Sequence, residues 1–114
     1  MKEEEFVNLF VSMGFTRNVA TVLVFLANTG ETTPRPIEHA TGMPQYDVSL
    51  TMKYLTALGW IEIHRNASVK RGRPPKVCKL VMPLAKILDI IEQEKKNEAK
   101  NQLALFEKMK DFIR

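Results

Sequence analysis

The chain has one cysteine in 114 residues, so no internal disulfide can form and a reducing compartment suits it. No apolar run approaches the roughly 18 residues that a membrane span requires. The opening MKEEEF is acidic where a secretion signal would be basic and then apolar, so a soluble, cytoplasmic protein is expected. Only two histidines occur, His39 and His64, and both lie far from Cys78 in sequence. A metal site needs three or four convergent ligands at recognisable spacing, so no metal is expected. There is also no glycine-rich phosphate loop before a helix, no nucleophile elbow, and no pair of acids in an apolar setting. Neither catalysis nor a cofactor is expected.

The most informative absence is of negative charge. No acid occurs between Glu62 and Asp89, and residues 63–88 carry a net +7, while the other blocks, 1–31, 32–62 and 89–114, are neutral or acidic. Within that stretch, VKRGRPPK (69–76) sets four cations around one glycine and two prolines. Such a run is either a basic linker without a fold or the exposed tip of something folded that touches a polyanion. A polarised chain of this kind points to phosphate.

What is present reads first as helix. Phe6, Val7, Phe10 and Met13 recur at spacings of three and four, as one face of a helix that Gly14 ends. Thr16 is placed to cap a second helix, whose Val19, Val22, Leu23, Phe25 and Leu26 make it apolar on most sides and hence buried. Gly30 suits its C-terminal turn. Pro34 and Pro36 restrict the next helix to Pro36–Thr41, since proline fits a first turn and not an interior. Gly42 closes it. A further helix then runs from Pro44 to Leu58, closed by Gly59. Two helices across a tight glycine turn form a helix-turn-helix, with Ile37, Ala40, Met43, Val48, Met52 and Leu55 expected on its inner side.

After Gly59 the period shortens. WIEIHR (60–65) and KVCKLV (76–81) read as strands, with Cys78 packed against the body. Strand, basic loop and strand directly after a helix-turn-helix is the order of a winged helix, so residues 66–75 are expected to be a wing tip. The fold class is thus α+β, mainly α. Residues 1–82 would form the winged helix-turn-helix domain and 83–114 a C-terminal helix.

From MGFTRNVATVLVFLANTGE through TGMPQYDVSLTMKYLTALGWIEI to KRGRPPKVCKLV, the chain resembles the archaeal winged-helix regulators of the MarR/TrmB-like group. That resemblance implies a sequence-specific regulator of transcription bound to double-stranded DNA. A major groove about 12 Å wide admits one helix, entered by its N-terminal end. Gln45, Tyr46, Ser49 and Leu50 then become candidate base readers, with Lys53 and Tyr54 better placed for phosphate. Similar proteins often carry a small polar residue at the position of Tyr46 and an arginine at that of Leu50; here no arginine lies on this helix, and Asp47 adds a first-turn acid favoured by the helix dipole, with acceptance from cytosine as its secondary reading.

The RGRP of the wing resembles the core of an AT-hook. Gly72 would let the backbone approach a narrow minor groove, with Arg71 and Arg73 extending along it. Lys70 and Lys76 flank them. Arg17, Asn18 and Arg35 are further candidate phosphate contacts. An architectural A·T-rich DNA binder and a winged-helix protein-interaction module remain as alternatives.

Beyond Pro83, Leu84, Ile87, Leu88 and Ile91 form one apolar stripe. Leu103, Phe106, Met109 and Ile113 form a second, widened by Leu105 and Phe112. A continuous helix of about 30 residues would span about 45 Å. It could not bury both stripes on so small a body, so homodimerisation through Leu84, Leu88, Ile91, Leu103, Phe106, Met109 and Ile113 is expected, and the first helix could be recruited as well. The other possibility is a break near Asn97 and a fold back onto the first helix. The operator, the sign of regulation and any small-molecule effector are not legible.

Overall fold

The computed structural model describes residues 2–65 and 75–114. The elements run α1 (Glu3–Ser12), α2 (Arg17–Thr29), α3 (Pro34–Thr41), α4 (Gln45–Ala57), β1 (Ile61–Arg65), β2 (Lys76–Leu80) and α5 (Leu84–Ile113). They divide into two compact units, Met1–Pro83 and Leu84–Arg114.

The first unit is built around α2. Thr16 caps it, its hydroxyl oxygen accepting from the Val19 N–H at 3.2 Å. Val22, Leu23 and Leu26 are almost wholly buried, as the apolar composition of this helix requires. Ala20 and Val24 are buried too. The helix α1 lies against α2 through Val7 and Phe10. Asn28 donates to the Glu3 carboxylate at 2.6 Å, and Arg17 donates to the Asn8 amide oxygen at 2.9 Å, tying the two helices at the surface. Met13 departs from the expected face. The helix ends at Ser12, so Met13 leaves the helical register as its C-cap and stays exposed.

A run of rings joins α1 to the sheet. Phe10 meets Phe15 at a centroid distance of 4.5 Å, and Phe15 meets Trp60 at 5.9 Å. Trp60 is buried immediately before β1.

The helix α3 begins two residues earlier than the sequence suggests, at Pro34 rather than Pro36. Proline lacks an N–H, and the first-turn N–H groups of a helix have no intrahelical partner to lose, so both prolines fit. Gly42 then adopts φ 74°, ψ 5°, a left-handed conformation that costs glycine little, and its N–H donates to the Glu38 carbonyl at 2.9 Å. The Thr41 hydroxyl accepts from the Met43 N–H, and α4 starts after the extended Pro44. Ile37, Met43, Val48, Met52 and Leu55 are buried between these helices, as expected. Ala40 is not: it sits at the exposed rim of a cleft shared with α1 and α2.

The strands β1 and β2 pair antiparallel, with Ile61 opposite Leu80 and Arg65 opposite Lys76. Cys78 lies at the centre. One side of it pairs with Ile63, and on the other its N–H and carbonyl bond to Thr32 at 2.7 and 2.9 Å, so the α2–α3 connection adds a single bridge to the sheet. Its thiol is completely buried and donates to the Thr32 carbonyl at 3.2 Å.

The second unit is one unbroken helix of 30 residues, without a break at Asn97. Within α5, Ile87 and Ile91 are buried, Leu84 is half-buried and Leu88 is exposed. Among the described residues no helix is long and apolar enough to cross a membrane.

Candidate nucleic-acid interface

The buried residues of α4 fix which residues face out. With Val48, Thr51, Met52 and Leu55 turned inward, the helical period carries Tyr46, Leu50 and Tyr54 to the far side in one row, at spacings of four. Tyr46 is 71% exposed, and Leu50 and Tyr54 are close to half exposed. A row of large apolar and aromatic surface on a charged protein is an offer of contact, because water gains nothing from solvating it. Lys53 lies in the same exposed sector and is the one cation of α4.

Gln45 and Ser49 sit a quarter turn away, toward α3 and the sheet. They share a cleft with Pro34 and Glu38 of α3, Met52 and Lys53 of α4, and Ile63 and Lys76 of the strands. A second cleft adjoins it, lined by Thr33, Arg35, Glu38, Gln45, Pro75 and Lys76 among others. Five of the expected contacts, Gln45, Ser49, Lys53, Arg35 and Lys76, thus line one continuous concave surface. Pro34, Met52 and Ile63 supply apolar lining, and the rim holds three cations, Arg35, Lys53 and Lys76. The first turn of α3 can offer few backbone N–H donors to an anion there, since Pro34 and Pro36 have none, so the rim's charge rests on side chains.

Tyr46, Leu50 and Tyr54 line neither cleft and form the outer ridge beside it. Arg17 is not brought to this surface. It starts α2 and is engaged with Asn8 of α1. Lys70, Arg71, Gly72 and Arg73 lie outside the described residues. What is described is their anchorage: β1 ends at Arg65 and β2 begins at Lys76, and these two residues are paired with each other. The exposed flank of this strand pair carries a Lys79–Glu62 ion pair at 3.3 Å and a contact between the His64 ring and the Glu31 carboxylate at 3.6 Å.

Glu38 was not anticipated. On a short polar helix it reads as solvated surface, and only its position three after Arg35 and four after Pro34 places it on the same face. Among the described residues no three His, Cys, Asp or Glu side chains converge as a metal site.

Of the residues expected at a subunit contact on α5, Ile91 is 5% exposed in the single chain, buried like its i, i+4 neighbour Ile87. Leu88, one position round the helix, stays exposed, and Leu103, Phe106, Met109 and Ile113 are each more than half exposed.

A helix-turn-helix followed directly by a two-stranded hairpin defines a winged helix. Comparison with known families narrows this further. The model of the MarR family matches residues 13–72, from the C-cap of α1 to beyond β1, and the chain belongs to that family. No curated protein matches the sequence. Among solved structures, NMB1585, a MarR family regulator from Neisseria meningitidis, aligns over 96% of this chain and 87% of its own, with a TM-score of 0.55 and 21% identity. The YusO protein of Bacillus subtilis aligns over 92% and 70%, with a TM-score of 0.57 and 19% identity. A mutant MarR from E. coli, solved in complex with operator DNA, aligns over 81% of this chain but 64% of its own, with a TM-score of 0.59 and 22% identity.

Proposed function

We infer that the chain is a DNA-binding transcriptional regulator that acts as a homodimer. In this reading α4 lies in the major groove and residues 66–75 reach the adjoining minor groove. The observation that carries it is the concave surface just described, on which Gln45, Ser49 and Lys53 of α4 meet Arg35 and Lys76. Gln45 can bond adenine through two hydrogen bonds, Ser49 can bond a base or a phosphate, and the Tyr46–Leu50 ridge suits thymine methyl groups. Lys53, Arg35 and Lys76 would hold phosphate, with Lys70, Arg71 and Arg73 extending the contact from the wing. The exposed stripe of α5 would join two copies, so that two α4 helices meet half-sites about one helical turn apart. Within the family we read the chain as an archaeal, TrmB-like regulator, on its TGMPQYDVS and GRPPKVCKL segments, and as cytoplasmic.

One observation favours a second reading. The helix α4 carries a single cation and an apolar ridge, so base readout could contribute modestly and the wing could supply most of the affinity, as in an architectural protein of A·T-rich DNA. Changing Arg71 and Arg73 to Ala separates the two. For a sequence-specific regulator, affinity drops while the protected footprint stays in place. For an architectural binder, binding is essentially lost. A protein-interaction module would hold its partner unchanged. Because cations neutralise phosphates here, affinity should fall by about 0.9 log units per log unit of salt for each phosphate contacted.

A further inference from the structure

Both clefts beside α4 contain the same acid, Glu38. It is half-buried, and among the described residues its carboxylate makes no ion pair and no hydrogen bond. Glu3 is matched by Asn28, Glu5 by Lys2, Glu31 by His64 and Glu62 by Lys79, whereas Glu4 and Asp47, like Glu38, have no such partner among the described residues; of these three only Glu38 lines the two clefts. An unmatched carboxylate on a rim otherwise made of Arg35, Lys53 and Lys76 opposes the binding of any polyanion. It shares both clefts with Lys76 and with Gln45 of the first turn of α4.

Resting on the DNA-binding reading above, we propose that Glu38 is a specificity-determining residue: it repels the backbone of any duplex and is compensated only when a base amine meets it. Phosphates held by Arg35 and Lys76 would lie well inside a Debye length of the carboxylate, so the repulsion acts in every register. A carboxylate accepts and cannot donate. Of the groups exposed in the major groove, it can therefore bond the exocyclic amines of cytosine and adenine, and it is repelled by the guanine and thymine oxygens. In the right register the charge gains a donor; in all others it gains nothing. Discrimination by penalising wrong partners is a general route to specificity.

The test uses the full chain, a duplex selected by the wild type from a random pool, and a scrambled duplex of equal length, each at two salt concentrations. E38A and E38Q are compared with E4Q, which removes the same charge from α1. Both Ala and Gln are good helix formers, and thermal melts confirm that each variant folds. For E38A, affinity for the scrambled duplex should rise about three- to eightfold, most at low salt. Its affinity for the selected duplex should rise less or fall, so that the ratio of the two drops by about two- to tenfold. E38Q, which keeps an acceptor oxygen, should show the first effect with less of the second. The proposal is overturned if the wild type binds its selected duplex and E38A leaves both affinities within about twofold, or if E4Q gives the same gain. A wild type that selects no duplex at all would instead remove the DNA-binding reading, and this inference with it.

Discussion

From Met1 to Pro83 most large aliphatic side chains turn inward: Leu23, Leu26, Ile37 and Leu55 are almost completely buried, while Leu9, Leu50 and Leu58 are among the exceptions. From Leu84 onward the proportion reverses. Only Ile87 and Ile91 are buried, while Leu103, Leu105, Phe106, Met109, Phe112 and Ile113 are exposed, Phe112 to 90%. The first unit closes its own core with side chains from four helices and two strands. The second is a lone helix whose distal half buries nothing in the single chain. Its i, i+3 and i, i+4 ion pairs, such as Lys96–Glu92 at 3.9 Å and Lys110–Glu107 at 3.7 Å, are solvent-exposed, and such pairs contribute only about 0.3–0.5 kcal/mol each. A helix of this composition needs packing to be stable in water. The contrast is that one unit closes its own apolar core, whereas the distal half of the other leaves its apolar stripe exposed.

The largest way to break that contrast is on α5. Changing Leu103 and Phe106 together to Glu should raise the dimer dissociation constant by about a thousandfold or more. Sedimentation would then show a monomer, with some loss of helical signal but an intact transition for the first unit. An unchanged dimer would mean that the stripe is not the subunit contact. Next comes the core. Leu23→Ala should cost about 2–5 kcal/mol in urea unfolding. Phe112→Ala, tested in the monomeric double variant, should stay within about 0.5 kcal/mol. Equal costs at the two sites would erase the distinction between the units.

Much of the first unit was legible because each of its boundaries has a local cause. Thr16, Gly30, Gly42, Pro44 and Gly59 mark where helices stop and start, and the shortened period after Gly59 marks the hairpin. Three features escaped for physical reasons. Met13 and Ala40 match a helical spacing but lie where a helix ends or at a rim, and periodicity does not report which turns are covered. Thr32 adds a single bridge to the sheet, and one residue has no period. Ile91 belongs to an apolar stripe that is divided by burial, and sequence shows the stripe but not the division. On α4 the division into inward and outward residues was readable from the helical period. Glu38 was not, because its meaning depends on which cations the fold sets beside it.

Two smaller effects sharpen the picture of the first unit. Burial pushes the Cys78 thiol up from its usual 9.0 to about 11, so the folded state favours the neutral form. Below pH 9 the thiol is neutral in the folded and the unfolded chain alike. Between pH 9 and 11 only the unfolded chain ionises readily, so stability should fall by on the order of 2 kcal/mol across that window. Replacing Cys78 by Ala should flatten the decline, and native protein at pH 8 should resist alkylation until it is unfolded. Smaller still, Lys53→Ala should weaken binding to every duplex by about three- to tenfold and reduce the salt slope by about one. A loss confined to one sequence would place Lys53 on a base instead.

The central claim is that α4 occupies a major groove while the segment between β1 and β2 reaches the minor groove beside it. Methylation interference on a duplex selected by the wild type measures both at once, because guanine N7 faces the major groove and adenine N3 the minor. The account predicts two clusters of N7 interference about one helical turn apart, each bordered by adenine N3 interference that disappears when Arg71 and Arg73 are changed to Ala. Interference at adenine N3 alone, with no N7 cluster, would contradict it.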